Sequence, residues 1–172
     1  MRVSLYAIIL CLLSPGINFS VKSQDLSKYY IHHKQDGGDL YFIYPFDDFR
    51  NLKDGSDFTF DITYRQGNDS AVINFTYFTS DPLVCDSLIF VTQNQHLIYK
   101  SQKIFQDFKK RHWINRFTLI IPYDELVSLV TKENPPEIKI ITPQAKMVYT
   151  VKDKKWATYA NALEKILYII KS

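Results

Sequence analysis

The chain has 172 residues, a formal net charge of +3 and 23% charged residues. That length suits one domain of about 100–200 residues, and so small a charge supplies no field to draw in nucleic-acid phosphate. Twelve Tyr and twelve Phe against two Trp and two Met make the apolar content ring-rich, which favours strands over helical bundles.

Residues 1–23 have the pattern of a secretory signal. Arg2 and the amino terminus supply positive charge, Leu5–Leu13 is unbroken apolar sequence, and Pro15-Gly16 stops it. Nine apolar residues are too few for a membrane span, which needs about 20. Cleavage after Gly16, Ser20 or Ser23 would release an exported, secreted or periplasmic protein. Leu10 before Cys11 departs from the small residue that lipoprotein processing requires. Loss of this segment takes Arg2 and Lys22 but no acid, so the charge falls from +3 to +1. Cys85 is then the one remaining cysteine, and no intrachain disulfide can form. Beside Leu83, Val84 and Leu88, it is expected to act as a small buried hydrophobe.

The rest, residues 24–172, is expected to form a single globular domain. Residues 24–39 are polar and turn-rich, ending in Asp36-Gly37-Gly38-Asp39, and predict a loose arm. Leu40–Phe46 is a dense apolar run broken by Pro45, and predicts a buried strand. Phe58, Phe60, Ile62 and Tyr64 alternate with polar residues, as do Ala71, Ile73, Phe75 and Tyr77 beyond the turn Gln66-Gly67-Asn68-Asp69. This period of two predicts a hairpin with one buried face. Leu88–Thr92 and His96–Lys100 predict a second hairpin. Phe117, Leu119 and Ile121 predict another strand, ended by Pro122.

Pro122 at a first turn, with Asp124 and Glu125 behind it, predicts a short helix over 123–132. Strands follow at Glu137–Ile141 and Met147–Val151. From Trp156 the period becomes helical: Trp156, Tyr159, Ala160, Leu163, Ile166, Leu167 and Ile170 share one stripe. That stripe predicts a carboxy-terminal helix over 156–170 docked on a sheet. The expected fold is α+β: a β-sandwich or roll of about seven or eight mainly antiparallel strands closed by helices.

Chemistry is sparse. Five glycines, none beyond Gly67, leave out the phosphate loops and the nucleophile elbow. His32, His33, His96 and His112 form no metal-ligand spacing, so neither metal nor cofactor is expected. Asp47-Asp48 and Asp54-Gly55-Ser56-Asp57 could pair as acid and base, but the second cluster fits a turn leading into the Phe58 strand. The densest unusual segment is Lys109–Arg116. Lys109, Lys110, Arg111, His112, Trp113 and Arg116 are the candidate ligand-binding residues, because a Trp beside cations can stack a sugar while the cations hold an anion. The competing reading packs Trp113 and Ile114 inward and leaves the cations as a solvated connection. Asn68 and Asn74 stand in N-glycosylation acceptor sequences, and Ser70 and Ser87 in short Asp-Ser-aliphatic patterns.

These features favour an exported, non-enzymatic module that binds a protein, a glycan or another anionic surface ligand. The alternative is a small exported hydrolase whose carboxylate pair or Cys85–His site is assembled by the fold. A lipid or small-ligand carrier is the third reading, and it requires an apolar cavity.

Overall fold

The computed structural model describes residues 25–130 and 134–171. The signal-like segment 1–23 lies outside them. Ten strands and two helices follow in chain order. The strands are β1 (Tyr30–His33), β2 (Leu40–Asn51), β3 (Asp57–Arg65), β4 (Ser70–Thr79), β5 (Ser87–Val91), β6 (His96–Lys100), β7 (Gln102–Lys109), β8 (His112–Pro122), β9 (Glu137–Ile141) and β10 (Lys146–Thr150). Helix α1 (Tyr123–Leu129) follows β8 directly, and α2 (Asp153–Lys171) closes the chain.

All ten strands join one open, antiparallel sheet in the order β6-β5-β9-β10-β2-β3-β4-β8-β7, with β1 added beside β2. The fold is α+β as expected, but a sandwich of seven or eight strands is not what forms. The physical reason lies in α2. Its stripe buries Trp156, Tyr159, Ala160, Leu163, Ile166, Leu167 and Ile170, so a helix covers the apolar face that a second sheet would otherwise cover.

The central hairpins follow their alternation. Phe58, Phe60, Ile62 and Tyr64 are buried on β3, and Phe58 pairs with Tyr77, Phe60 with Phe75 and Ile62 with Ile73 across to β4. The next pairs, Ile73 with Leu119 and Phe75 with Phe117, carry the same layer onto β8. Phe58, Phe75 and Phe117 lie in a stacked row with centroids 5.7 and 5.9 Å apart. Such offset ring pairs add to what area burial alone contributes.

Two strands differ from expectation. Leu40–Phe46 is not a continuously buried strand. It continues through Pro45 to Asn51, and Phe42 and Tyr44 are exposed. Its pairing with β3 slips twice, between Ile43 and Phe46 and again between Phe46 and Phe49. Each bulge adds one residue, so Ile43, Phe46 and Phe49 face the core at a spacing of three instead of two. Pro45 falls in the first bulge, where a ladder N–H is not required.

The amino-terminal segment is not a loose arm. Residues Tyr30–His33 pair with Leu40–Ile43, while Leu26, Tyr29 and Tyr30 pack on the core. His32 stacks on Tyr41 at 5.6 Å, whereas His33 meets Phe42 from the other side. At the intervening turn the Gln66 N–H donates to the Asp39 carbonyl. Gly38 has a φ of +116°, and a Cβ there would stand 2.5 Å from the Gln66 carbonyl oxygen. No other residue fits that approach.

Strands β6 and β7 are consecutive in the chain but occupy opposite ends of the sheet. Only Ser101 separates them. The sheet therefore curls, bringing β6 close to β8 near Ser101 while it stays open. Ser101 Oγ holds the junction by donating to the Cys85 carbonyl at 2.9 Å.

Cys85 is 2% exposed, as a small hydrophobe should be, and burial pushes its thiol from the ordinary 9.0 up to about 11. Tyr149 and Tyr123 are pushed from 10.0 up to about 12, also by burial. Each group holds its proton more tightly in the folded chain than in the unfolded one. Stability is therefore full below about pH 9 and declines as pH rises through these folded values. The urea midpoint is expected to be flat from pH 7 to 8.5 and to fall by pH 11. An unchanged midpoint at pH 11 would contradict the burial of these groups.

Candidate functional site

The basic segment Lys109–Arg116 forms the end of a hairpin between β7 and β8. Lys109 pairs with His112 and Phe108 with Trp113, leaving Lys110 and Arg111 as a two-residue turn. Both have left-handed backbone, with φ of +51° and +69°. That is the type I′ geometry that matches strand twist and normally selects Asn-Gly. Here it carries two long cationic side chains instead. Left-handed backbone costs an ordinary residue roughly 1–2 kcal/mol, so the tip is strained where its charge is greatest. The double substitution Lys110→Asn/Arg111→Gly is expected to raise stability by about 1–2 kcal/mol. A urea midpoint at or below the wild-type value would show that the turn is not strained.

The base of the hairpin is anchored by polar bonds. Asn115 is fully buried, and its amide donates to Thr79 Oγ1 at 2.8 Å and to the Tyr77 carbonyl at 3.4 Å. Gln106 donates to Asn115 Oδ1 and to the Leu83 carbonyl. Beyond this network the hairpin projects. Trp113 and Ile114 are both half-buried, so the expectation that they pack inward is met only in part. Trp113 lies against Phe108, whose ring is 56% exposed, at 5.5 Å.

The structure brings Lys109, Lys110, Arg111, His112 and Trp113 together at this tip and separates Arg116 from them. Arg116 lies four positions along β8, bonded to Asp61 at 2.7 Å and to Thr76 at 3.0 Å. Asp61 also accepts from the Asn74 amide. This half-buried cluster organises the outer face and leaves Arg116 no free charge for a ligand. The tip cations differ: among the described residues, Lys109, Lys110 and Arg111 pair with no carboxylate. His112 lines a shallow depression of about 250 Å³ together with Phe78, with Gly55 and Ser56 of the β2–β3 turn and with Asp57 at the start of β3.

Sequence reasoning missed three residues here. Ile104, Phe105 and Phe108 of β7 are 47%, 45% and 56% exposed. Their signal was an apolar triplet without a period of two, immediately before the basic run.

Of the acidic candidates, Asp47 is exposed on β2, and the others lie in turns or ion pairs. Asp54 accepts from the Ser56 N–H, Asp57 pairs with Arg50 at 3.1 Å and Asp48 with Lys155 at 3.5 Å. Glu125 accepts a short hydrogen bond from the Tyr99 hydroxyl, and together with burial this bond raises the Tyr99 pKa. Cys85, buried and protonated at neutral pH, is a poor nucleophile. Between sheet and helices, the gap lined by Phe60, Ile73, Phe90 and Leu163 holds about 20 Å³, room for about one water molecule and for no larger ligand. A groove of about 540 Å³ runs between α1 and α2, but it opens at the surface and carries Asp124, Glu164 and Lys171 on its rim.

Of the acceptor-like positions, Asn68 is exposed in the β3–β4 turn. Asn74 is half-buried and its amide nitrogen is engaged with Asp61. Ser70 and Ser87 are half-buried at strand starts. No group of three or more metal-ligating side chains gathers among the described residues, and no helix among them is long and apolar enough to cross a membrane.

Fold and site together describe a class: a single curled antiparallel sheet, covered by helices, that presents a cationic and aromatic hairpin. Comparisons with protein-family models, curated proteins and solved structures return no match to this chain.

Proposed function

We propose that the protein is an exported, non-enzymatic binding module that uses the β7–β8 tip to hold an anionic surface ligand. One observation carries this reading: two cations that pair with no carboxylate among the described residues occupy left-handed positions at Lys110 and Arg111, where neutral Asn-Gly would cost less. Strain kept at a charged, exposed turn suits a role outside folding. Trp113 and Phe108 beside the cations provide ring faces for a ligand's apolar parts. The carboxylates' distribution among turns and ion pairs, and the protonated Cys85, speak against the hydrolase reading. The filled core speaks against a carrier with an interior site.

The test uses heparin and polyglutamate as anionic probes. Wild-type protein is expected to bind at least one of them, with affinity falling as salt rises, because exposed charges are screened over about 8 Å at physiological ionic strength. Lys110→Ala/Arg111→Ala is expected to weaken that binding by about tenfold. Its stability should change by less than about 1 kcal/mol, since both side chains are solvated. Equal binding by variant and wild type would remove the tip from the function.

A further inference from the structure

We propose that the ligand of this hairpin is an anionic lipid surface, met edge-on by strand β7. The inference rests on the tip being a binding surface and names what it binds. Every side chain of Gln102–Lys109 except Gln106 is exposed, because β7 ends the sheet beside β8 and lies outside the main contacts of both helices. The apolar ones lie on both faces of the hairpin. Phe105 pairs with Arg116, which points to the outer face, while Phe108 pairs with Trp113 on the face that becomes core further along. Ile104 stands in the bulge between Lys103 and Phe105.

A protein or a glycan chain laid against the sheet would touch one face and leave the other rings in water. The interfacial layer of a bilayer surrounds an edge on both faces at once. Amphipathic elements reach about 5–10 Å into that layer, with rings at the acyl boundary and cations among the headgroups. The required cations are present along the same edge: Lys103, Lys109, Lys110 and Arg111. Asp107 is the one acid on β7, and its carboxylate accepts the Phe108 N–H at 2.8 Å. The free edge amides would stay at headgroup depth, where water satisfies them. The opposite edge lacks this character. On β6, Ile98 stands outward between His96 and Lys100, and the strand's one Tyr, Tyr99, is half-buried.

Co-sedimentation of the full chain tests this, with vesicles of phosphatidylcholine alone and vesicles of equal parts phosphatidylcholine and phosphatidylserine. Binding is expected to the mixed vesicles only. Lys110→Ala/Arg111→Ala should weaken it about 30-fold, at about fivefold per cation near an anionic surface. Phe105→Ser/Phe108→Ser, which removes exposed rings and should leave thermal unfolding unchanged, should weaken it about tenfold. The two Trp are Trp113 and the buried Trp156, so a blue shift of emission on vesicle binding reports Trp113. Heparin binding without vesicle binding overturns the lipid assignment and leaves the tip's role intact. Vesicle binding that ignores Phe105 and Phe108 overturns the edge-on insertion. Wild-type protein that binds neither heparin nor the mixed vesicles overturns the tip itself.

Discussion

Phe46→Ala is expected to lower folding stability by about 3–5 kcal/mol. Phe46 lies between the two bulges of β2, and those bulges turn its ring into the core. The ring stacks on Tyr159 with centroids 4.2 Å apart. It also meets Phe49, Trp156 and Phe60 at 5.6, 6.0 and 6.2 Å. Truncation removes the transfer free energy of a benzyl group and opens a cavity between β2 and α2. Neither wall can collapse easily, because the sheet is held by its ladder and Tyr159 is packed on Phe60 as well. Urea unfolding measures the loss. A cost below about 1 kcal/mol would mean that α2 does not press on the bulged strand.

Leu163→Ala should cost about 2–5 kcal/mol. Leu163 is 1% exposed and central in the stripe of α2, where it faces Phe60, Ile73 and Phe90 across a gap of about 20 Å³. Removing its branched end joins that gap to a new cavity, so the expected loss exceeds the transfer term alone. Leu and Ala are both good helix formers, so the change tests docking more than helix propensity. Should the variant unfold at the wild-type midpoint, α2 is not docked on the sheet. The stripe would then belong to a partner interface.

The candidate site was half legible. Lys109–Trp113 stood out because four cations and an indole lie within eight residues, and the structure gathers five of the six named residues at one turn. Arg116 belongs elsewhere, because a strand position faces whatever its neighbours across the ladder present, here Asp61 and Thr76. Phe105 and Phe108 went unnoticed because an edge strand exposed on both faces has no hydrophobic period to detect.

Period and turn chemistry are local, and the sequence by itself determined what depends on them. The alternation of β3, β4 and β8, the hairpin of β5 and β6, and the seven-residue stripe of α2 all appear as written. Tertiary structure decided what depends on distant partners. The bulges of β2 exist only against β3, and β1 is a strand only because β2 offers a free edge beside it. Whether an apolar face meets a second sheet or a helix depends on which element the chain delivers to it, and here α2 arrives. Ser101 carries the chain from one end of the sheet to the other, and that crossing leaves β7 as an edge. This edge lies outside the main contacts of both helices, so its side chains stay in water on both faces. No residue of Gln102–Lys109 records that fact by itself.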